Sequence, residues 1–287
     1  MNQEELERKW NELGISDNFI FTKVMQNEEI CKEFLEMVLD IEIEYIEYPV
    51  IEKTINTTHD GKGVRLDVHV ADDKRTVYNV EMQATDTKEL PARSRYYQGV
   101  IDLELLERGE NYKKLNTSYI IFICRFDLFK RGRYRYTFEQ RCIEEPDLRL
   151  GDGTTRIFLN TKGIIENNDI SEKLQAFLIY VEGQSSDNGF VKKLANKILE
   201  IKENKKWRVD YMNDVVRMQL ALDEGIEIGM ERGIERGIEQ GMEESLEYNV
   251  KIVNFLSKNN RSDEIAEVFG DKEKYMQVLE EMDVLKL

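Results

Sequence analysis

The amino-acid sequence points to an α/β domain over residues 1–163, followed by an all-helical region over residues 164–287. Strand-length β-branched runs alternate with helical periodicities in the first part, and the pattern turns helical from Gly163 to the end. Within the first part SYIIFICRF (118–126) is an uninterrupted apolar run, as in a strand buried on both faces.

Residues 19–39 set Phe21, Val24, Met25, Ile30, Phe34, Leu35, Val38 and Leu39 at mostly three-to-four spacing, an amphipathic helical region with a break near Asn27. Tyr45 to Ile55 has the β-branched and aromatic enrichment of a strand. VRLDVHVA (64–71) and TVYNVEMQ (76–83) flank Asp72, Asp73, Lys74 and Arg75, which is hairpin spacing. Residues 91–108 open with Pro91 at a first-turn position and keep Tyr97, Val100, Ile101 and Leu105 in helical register. Strand candidates follow at 134–140 and 155–161, then helical patterns at 170–182, 188–203, about 208–247, 249–258 and 263–282.

Composition narrows the class. With 41% hydrophobic and 9% aromatic residues the chain can supply a core, which excludes disorder as the dominant state. No apolar run is long enough to span a membrane, and the acidic, polar N-terminus lacks the pattern of a secretory signal, so the expected compartment is the cytoplasm. Cys31, Cys124 and Cys142 are scattered, as reduced and mostly buried thiols are, and with only His59 and His69 a metal would have to be held by carboxylates, which favours magnesium or manganese over zinc. The net charge of −16 argues against a nucleic-acid partner until it is divided along the chain. Residues 91–162 carry fourteen basic and ten acidic side chains, +4, between flanks of −11 and −9. A phosphate backbone responds to the local patch rather than to the sum.

A turn centred near Lys74 makes paired residues sum to 148. Val68 then meets Val80, Val70 meets Tyr78, and Asp67 lies opposite Glu81, with Leu66, Val68 and Val70 on one apolar face. Cross-strand partners have Cβ atoms about 4.5–5.5 Å apart, close enough for two carboxylates to reach one cation. Such a pair repels unless a positive charge or a proton intervenes, and a hard divalent cation satisfies it. That cation can polarise a phosphoryl oxygen and acidify a bound water. A solvated polar hairpin face is the alternative reading of the same residues.

The order of helix, strand, Asp67, turn, Glu81-Met82-Gln83 and helix resembles the PD-(D/E)XK nuclease core, a restriction-endonuclease-like mixed central sheet flanked by helices. More narrowly, SDNFIFTKVM (16–25), RLDVHVAD (65–72), VEMQ (80–83) and RSRYYQ (93–98) resemble segments of the Rpn family of recombination-promoting nucleases, also called PD-(D/E)XK family transposases. The resemblance covers roughly residues 16–165. It implies that Asp67 and Glu81 are catalytic and bind Mg2+, with Mn2+ as a substitute, and that Gln83 stands where the wider superfamily has lysine. Glutamine can orient a water but brings no charge. Arg93, Arg95 and Gln98 on the following helix are candidate DNA contacts, each equally readable as part of a solvated helix face. Asp17 is a candidate additional acid, or an N-cap. The implied function is a metal-dependent DNA endonuclease linked to recombination, mobile elements or defence against foreign DNA. The alternative is a non-catalytic nucleic-acid-binding or assembly protein that retains the fold.

RFDLFKRGRYRY (125–136) interleaves Lys130, Arg131 and Arg133 with Phe129, Tyr134 and Tyr136, which suits phosphate contact and base stacking, or is a hairpin with a basic face. Farther on, Gly225, Gly229, Gly233, Gly237 and Gly241 form a ladder, each followed by Ile or Met and then Glu. Five glycines within a helix cost about 1 kcal/mol each relative to alanine, so something must compensate. A spacing of four follows the ridge along which helices cross closely. The expectation is a long helix that self-associates, as in a homodimer, or packs on the chain's own helices; a flexible linker is the alternative.

Overall fold

The computed structural model describes residues 3–55, 64–164 and 170–284. In its first compact unit, Met1–Asn213, α1 (Gln3–Glu12), α2 (Asn18–Met25) and α3 (Glu28–Leu39) precede β1 (Val50–Ile55), β2 (Val64–Ala71) and β3 (Val77–Gln83). Next come α4 (Leu90–Leu105), β4 (Ser118–Cys124), β5 (Arg135–Phe138) and β6 (Thr154–Asn160), then α5 (Glu172–Val181) and α6 (Gly189–Glu203). The sheet is mixed, in the order β1-β2-β3-β4-β6-β5. Its β3-β4-β6 centre is parallel, and the outer pairs are antiparallel.

Local chemistry sets the boundaries. The helical region breaks at Asn27, whose side chain caps α3 by accepting from the Ile30 N–H. Pro91 occupies the first turn of α4, where its missing N–H leaves no hydrogen bond unmade. In the central strand β4, alternate residues enter two cores. Ile121 and Ile123 join Phe21, Phe34 and Phe177 on one side, and Ile120 and Phe122 join Leu90, Val100 and Ile101 of α4 on the other. Leu174 and Leu178 of α5 and Leu194 and Ile198 of α6 belong to the first core. The contact division therefore falls at Asn213, later than the boundary expected near Gly163, because these helices complete the sheet's cover.

β2 does not keep the single apolar face that alternation suggested. Val68 and Val70 enter the first core, whereas Val64 and Leu66 enter the core under α4. The changeover is at Asp67. There the β1–β2 ladder passes from Ile51↔Val68 to Lys53↔Leu66, and Glu52 between them takes a φ of 52°. A non-glycine residue in that region marks a local kink.

The second unit, Asp214–Leu287, contains most of α7 (Lys205–Lys258) together with α8 (Ile265–Gly270) and α9 (Lys272–Val284). Its own core is small: Ile252, Leu256, Val268 and Val278. α7 is one continuous helix where the sequence suggested two. An added Cβ at any of the five ladder glycines meets nothing within 4 Å among the described residues, and Ile226, Met230, Ile234, Ile238 and Met242 beside them are exposed. No helix of the described residues is long and apolar enough to cross a membrane.

Candidate active site

The hairpin turn is fixed by Asp72, whose Oδ1 accepts the Lys74 and Thr76 N–H groups while its Oδ2 accepts the Tyr78 hydroxyl. The resulting register is the expected one, Val68↔Val80 and Val70↔Tyr78. The regular ladder stops just before Asp67, where the two carboxylates take over the strand pairing. Asp67 N–H donates to Glu81 Oε1 at 3.1 Å, and Met82 N–H donates to Asp67 Oδ2 at 3.2 Å. Each acid is held by the backbone of the opposite strand, which fixes both in place. Asp67 is 8% and Glu81 2% exposed.

Two residues not singled out in the sequence complete this cradle. Asn79 Nδ2 donates to Glu81 Oε1 at 3.0 Å, and the side chain of Asn18, the first residue of α2, hydrogen-bonds Asp67. Asn79 shares strand parity with Glu81, a signal that was available. Asn18 follows Asp17 at a helix start, where capping explains polar residues and hides other roles.

The charge balance is negative. Arg93 Nη2 lies 3.6 Å from Glu81 Oε2, its guanidinium set over the rings of Tyr97 and Phe122 at 5.4 and 5.5 Å. Its Nε is buried without a hydrogen bond among the described residues. Neighbouring His69 adds no charge, since burial and then Lys53 push its pKa down to about 4. Arg93 lies beside Glu81, and Arg65 acts on Asp67 from an exposed position, so the buried pair is only partly offset. Burial, and then the Asp67 charge, push Glu81 up to about 8. Burial also raises Asp67, against the opposing pull of the Met82 N–H, Asn18, Arg93 and Arg65. Buried acids lacking counter-charge favour protonation or a cation.

Among the described residues no group of three or more His, Cys, Asp or Glu side chains gathers around a common point, so the available donor set is the carboxylate pair. All-oxygen donors and an excess negative charge fit a hard divalent ion, which takes one or two protein carboxylates and keeps several waters.

The structure brings some expected site residues together and sets others apart. Gln83 is two residues beyond Glu81 on the same strand face and is partly exposed. Arg95 is exposed on α4, one residue from buried Ser94. Gln98, expected as a DNA contact, is 5% exposed and donates to Asp102 Oδ1 and Ser118 Oγ, both at 2.8 Å, tying α4 to β4. Asp17 is also placed away from the pair. It sits at the N-cap position of α2 without a side-chain cap, accepts from the Gly14 N–H at 2.6 Å, and acts electrostatically on Lys202 and Tyr211. Lys130, Arg131 and Arg133 are exposed on a loop organised by Asp127, which accepts the Lys130 and Gly132 N–H groups and the Tyr136 hydroxyl. The cysteines are free; Cys31 and Cys124 are buried, which pushes both thiols up to about 12.

A mixed sheet between helical layers, with paired acids on adjacent strands and an arginine from the covering helix, defines a PD-(D/E)XK-type core. The family model described as PD-(D/E)XK nuclease family transposase matches residues 18–215, more than half of the chain, and the chain belongs to that family. No match was found among curated proteins or among solved structures.

Proposed function

We propose that the protein is a metal-dependent DNA endonuclease. The observation that carries this reading is the pair of buried carboxylates, each fixed by the opposite strand's backbone, with Arg93 paired to Glu81. Asp67 and Glu81 would hold Mg2+, or Mn2+ in its place. A bound cation of this kind supplies Lewis-acid polarisation of a phosphoryl oxygen and a more acidic water. Gln83 orients the attacking water through its amide, and Arg93 offsets charge that builds beside Glu81. Arg95 with Lys130, Arg131 and Arg133 provides phosphate contacts on an otherwise acidic chain. A cytoplasmic role in recombination, mobile elements or defence accords with the family. Supercoiled plasmid is expected to be nicked or linearised with Mg2+ or Mn2+ and to stay intact with chelator. DNA retained under all conditions but never cut would instead favour a non-catalytic binding protein.

We further assign the ladder on α7 to homodimerisation. The exposed middle of α7, with five glycines and an uncovered Ile/Met stripe, is costly alone, and a second copy crossing at the glycines would cover both. Replacing Gly229 and Gly237 together by alanine is expected to weaken the dimer in light scattering while stabilising the isolated helix by about 1 kcal/mol per site. A wild-type protein that remains monomeric at high concentration would contradict the assignment.

A further inference from the structure

On the α4 side of the sheet, a cavity of about 300 Å³ opens between α4 and the β5-β6 edge. Its apolar wall is aromatic. The Phe129 and Phe138 ring centroids are 5.0 Å apart, and both rings stand nearly edge-on to Phe158, at 5.4 and 5.7 Å. Ser94, Arg95, Gln140 and Arg156 supply its polar groups. The Nε of Arg156 is buried and makes no hydrogen bond among the described residues, a donor awaiting an acceptor.

The position of this cavity relative to the carboxylates follows from strand register. Glu81 pairs with Phe122, and Phe122 pairs with Phe158, so the three lie in one row across β3, β4 and β6 on one sheet face. Two strand spacings put Phe158 about 10 Å from Glu81. That is roughly three steps of a stacked DNA strand and fewer of an extended one. The Phe122 and Phe158 rings stack at 5.3 Å, and the Arg93 guanidinium lies over Phe122. The basic loop at 130–133 adjoins the same aromatic cluster through Phe129.

Aromatic walls of this size suit a flat ring system better than a phosphate, and a stacked base pair could not enter. We infer that the cavity holds one unstacked nucleobase of the strand bound at Asp67 and Glu81, with guanine preferred. Arginine offers only donors, and guanine presents two acceptors, O6 and N7, on one edge. This deepens the nuclease reading and rests on it.

The test is binding of a fifteen-nucleotide thymidine strand carrying one central guanine, compared with the same strand carrying an abasic site there. Ca2+ replaces Mg2+, and strand integrity is checked on a gel. Wild type is expected to bind the guanine strand about tenfold more tightly, the scale of one stacked base. In Phe138→Ala, at a position already 41% exposed, the ratio should fall to near one. With a third strand carrying adenine at that position, wild type should bind guanine more tightly than adenine, and Arg156→Met should erase that preference. Equal binding of the guanine and abasic strands by wild type, or a ratio unchanged in both variants, overturns the inference. If plasmid is still cut in a metal-dependent way, only this inference falls; if wild type neither binds these strands nor cuts plasmid, the nuclease reading falls with it.

Discussion

Glu81→Gln is expected to lower cleavage by at least about 100-fold while making the metal-free protein more stable. The loss follows from removing one of two carboxylates that would hold the cation, whose contribution to phosphodiester hydrolysis has no substitute among the neighbouring side chains. The gain follows from burial. Glu81 is 2% exposed, and its pKa is pushed up to about 8, first by desolvation and then by Asp67. A folded-state pKa above the unfolded value means that the folded protein binds the extra proton. Its stabilisation by that proton is complete below the unfolded carboxylate pKa and is lost as pH rises toward about 8. Glutamine keeps the shape, can accept from the Asp67 N–H, and carries no charge to desolvate. At pH 8 the variant should therefore be more stable by about 2 kcal/mol or more, with the difference shrinking toward pH 5. Thermal melting in chelator across that range reads both the sign and the slope. A variant less stable than wild type at pH 8 would show that the buried charge is compensated by something other than Arg93.

The same protonation would make cation binding at this pair pH-dependent. An ion held by both carboxylates would need both ionised, so its binding would displace the proton that burial favours on Glu81. With Glu81 pushed up to about 8, apparent affinity for Mn2+ should rise as the pH is raised from 6 and level off above 8. Calorimetric titration in buffers of different ionisation enthalpy would show close to one proton released per ion at pH 6.5. In Glu81→Gln both the release and the slope should largely vanish. A flat profile in wild type would mean that the acids are already ionised without the metal.

Much of this was legible in the sequence because hairpins constrain themselves. A turn centred near Lys74 and the alternation of Val68, Val70, Tyr78 and Val80 agree on one register, and extended by one residue it sets Asp67 against Glu81. The buried central strand at 118–124 and the proline start of α4 were equally plain. What the sequence hid were consequences of three-dimensional crossing. The layer switch of β2 at Asp67 lies opposite the positive-φ residue Glu52 in another strand, and nothing in the residues 64–71 announces it. Gln98 looks like a polar helix face until Ser118 of β4 is seen beneath it. Asn18 reaches Asp67 from a helix 49 positions earlier in the chain, and no local spacing rule can report such a contact. The aromatic cavity likewise gathers Phe129, Phe138 and Phe158 from three separate segments.

The most direct measurement compares wild type with Asp67→Ala, purified identically, on supercoiled plasmid in Mg2+, Mn2+ or chelator. Nicking that requires metal in wild type and is absent from the variant is the expected result, and it would place the reaction at the carboxylate hairpin. Equal metal-dependent cleavage by both proteins would contradict the account, because it would put the activity at another site or in another protein.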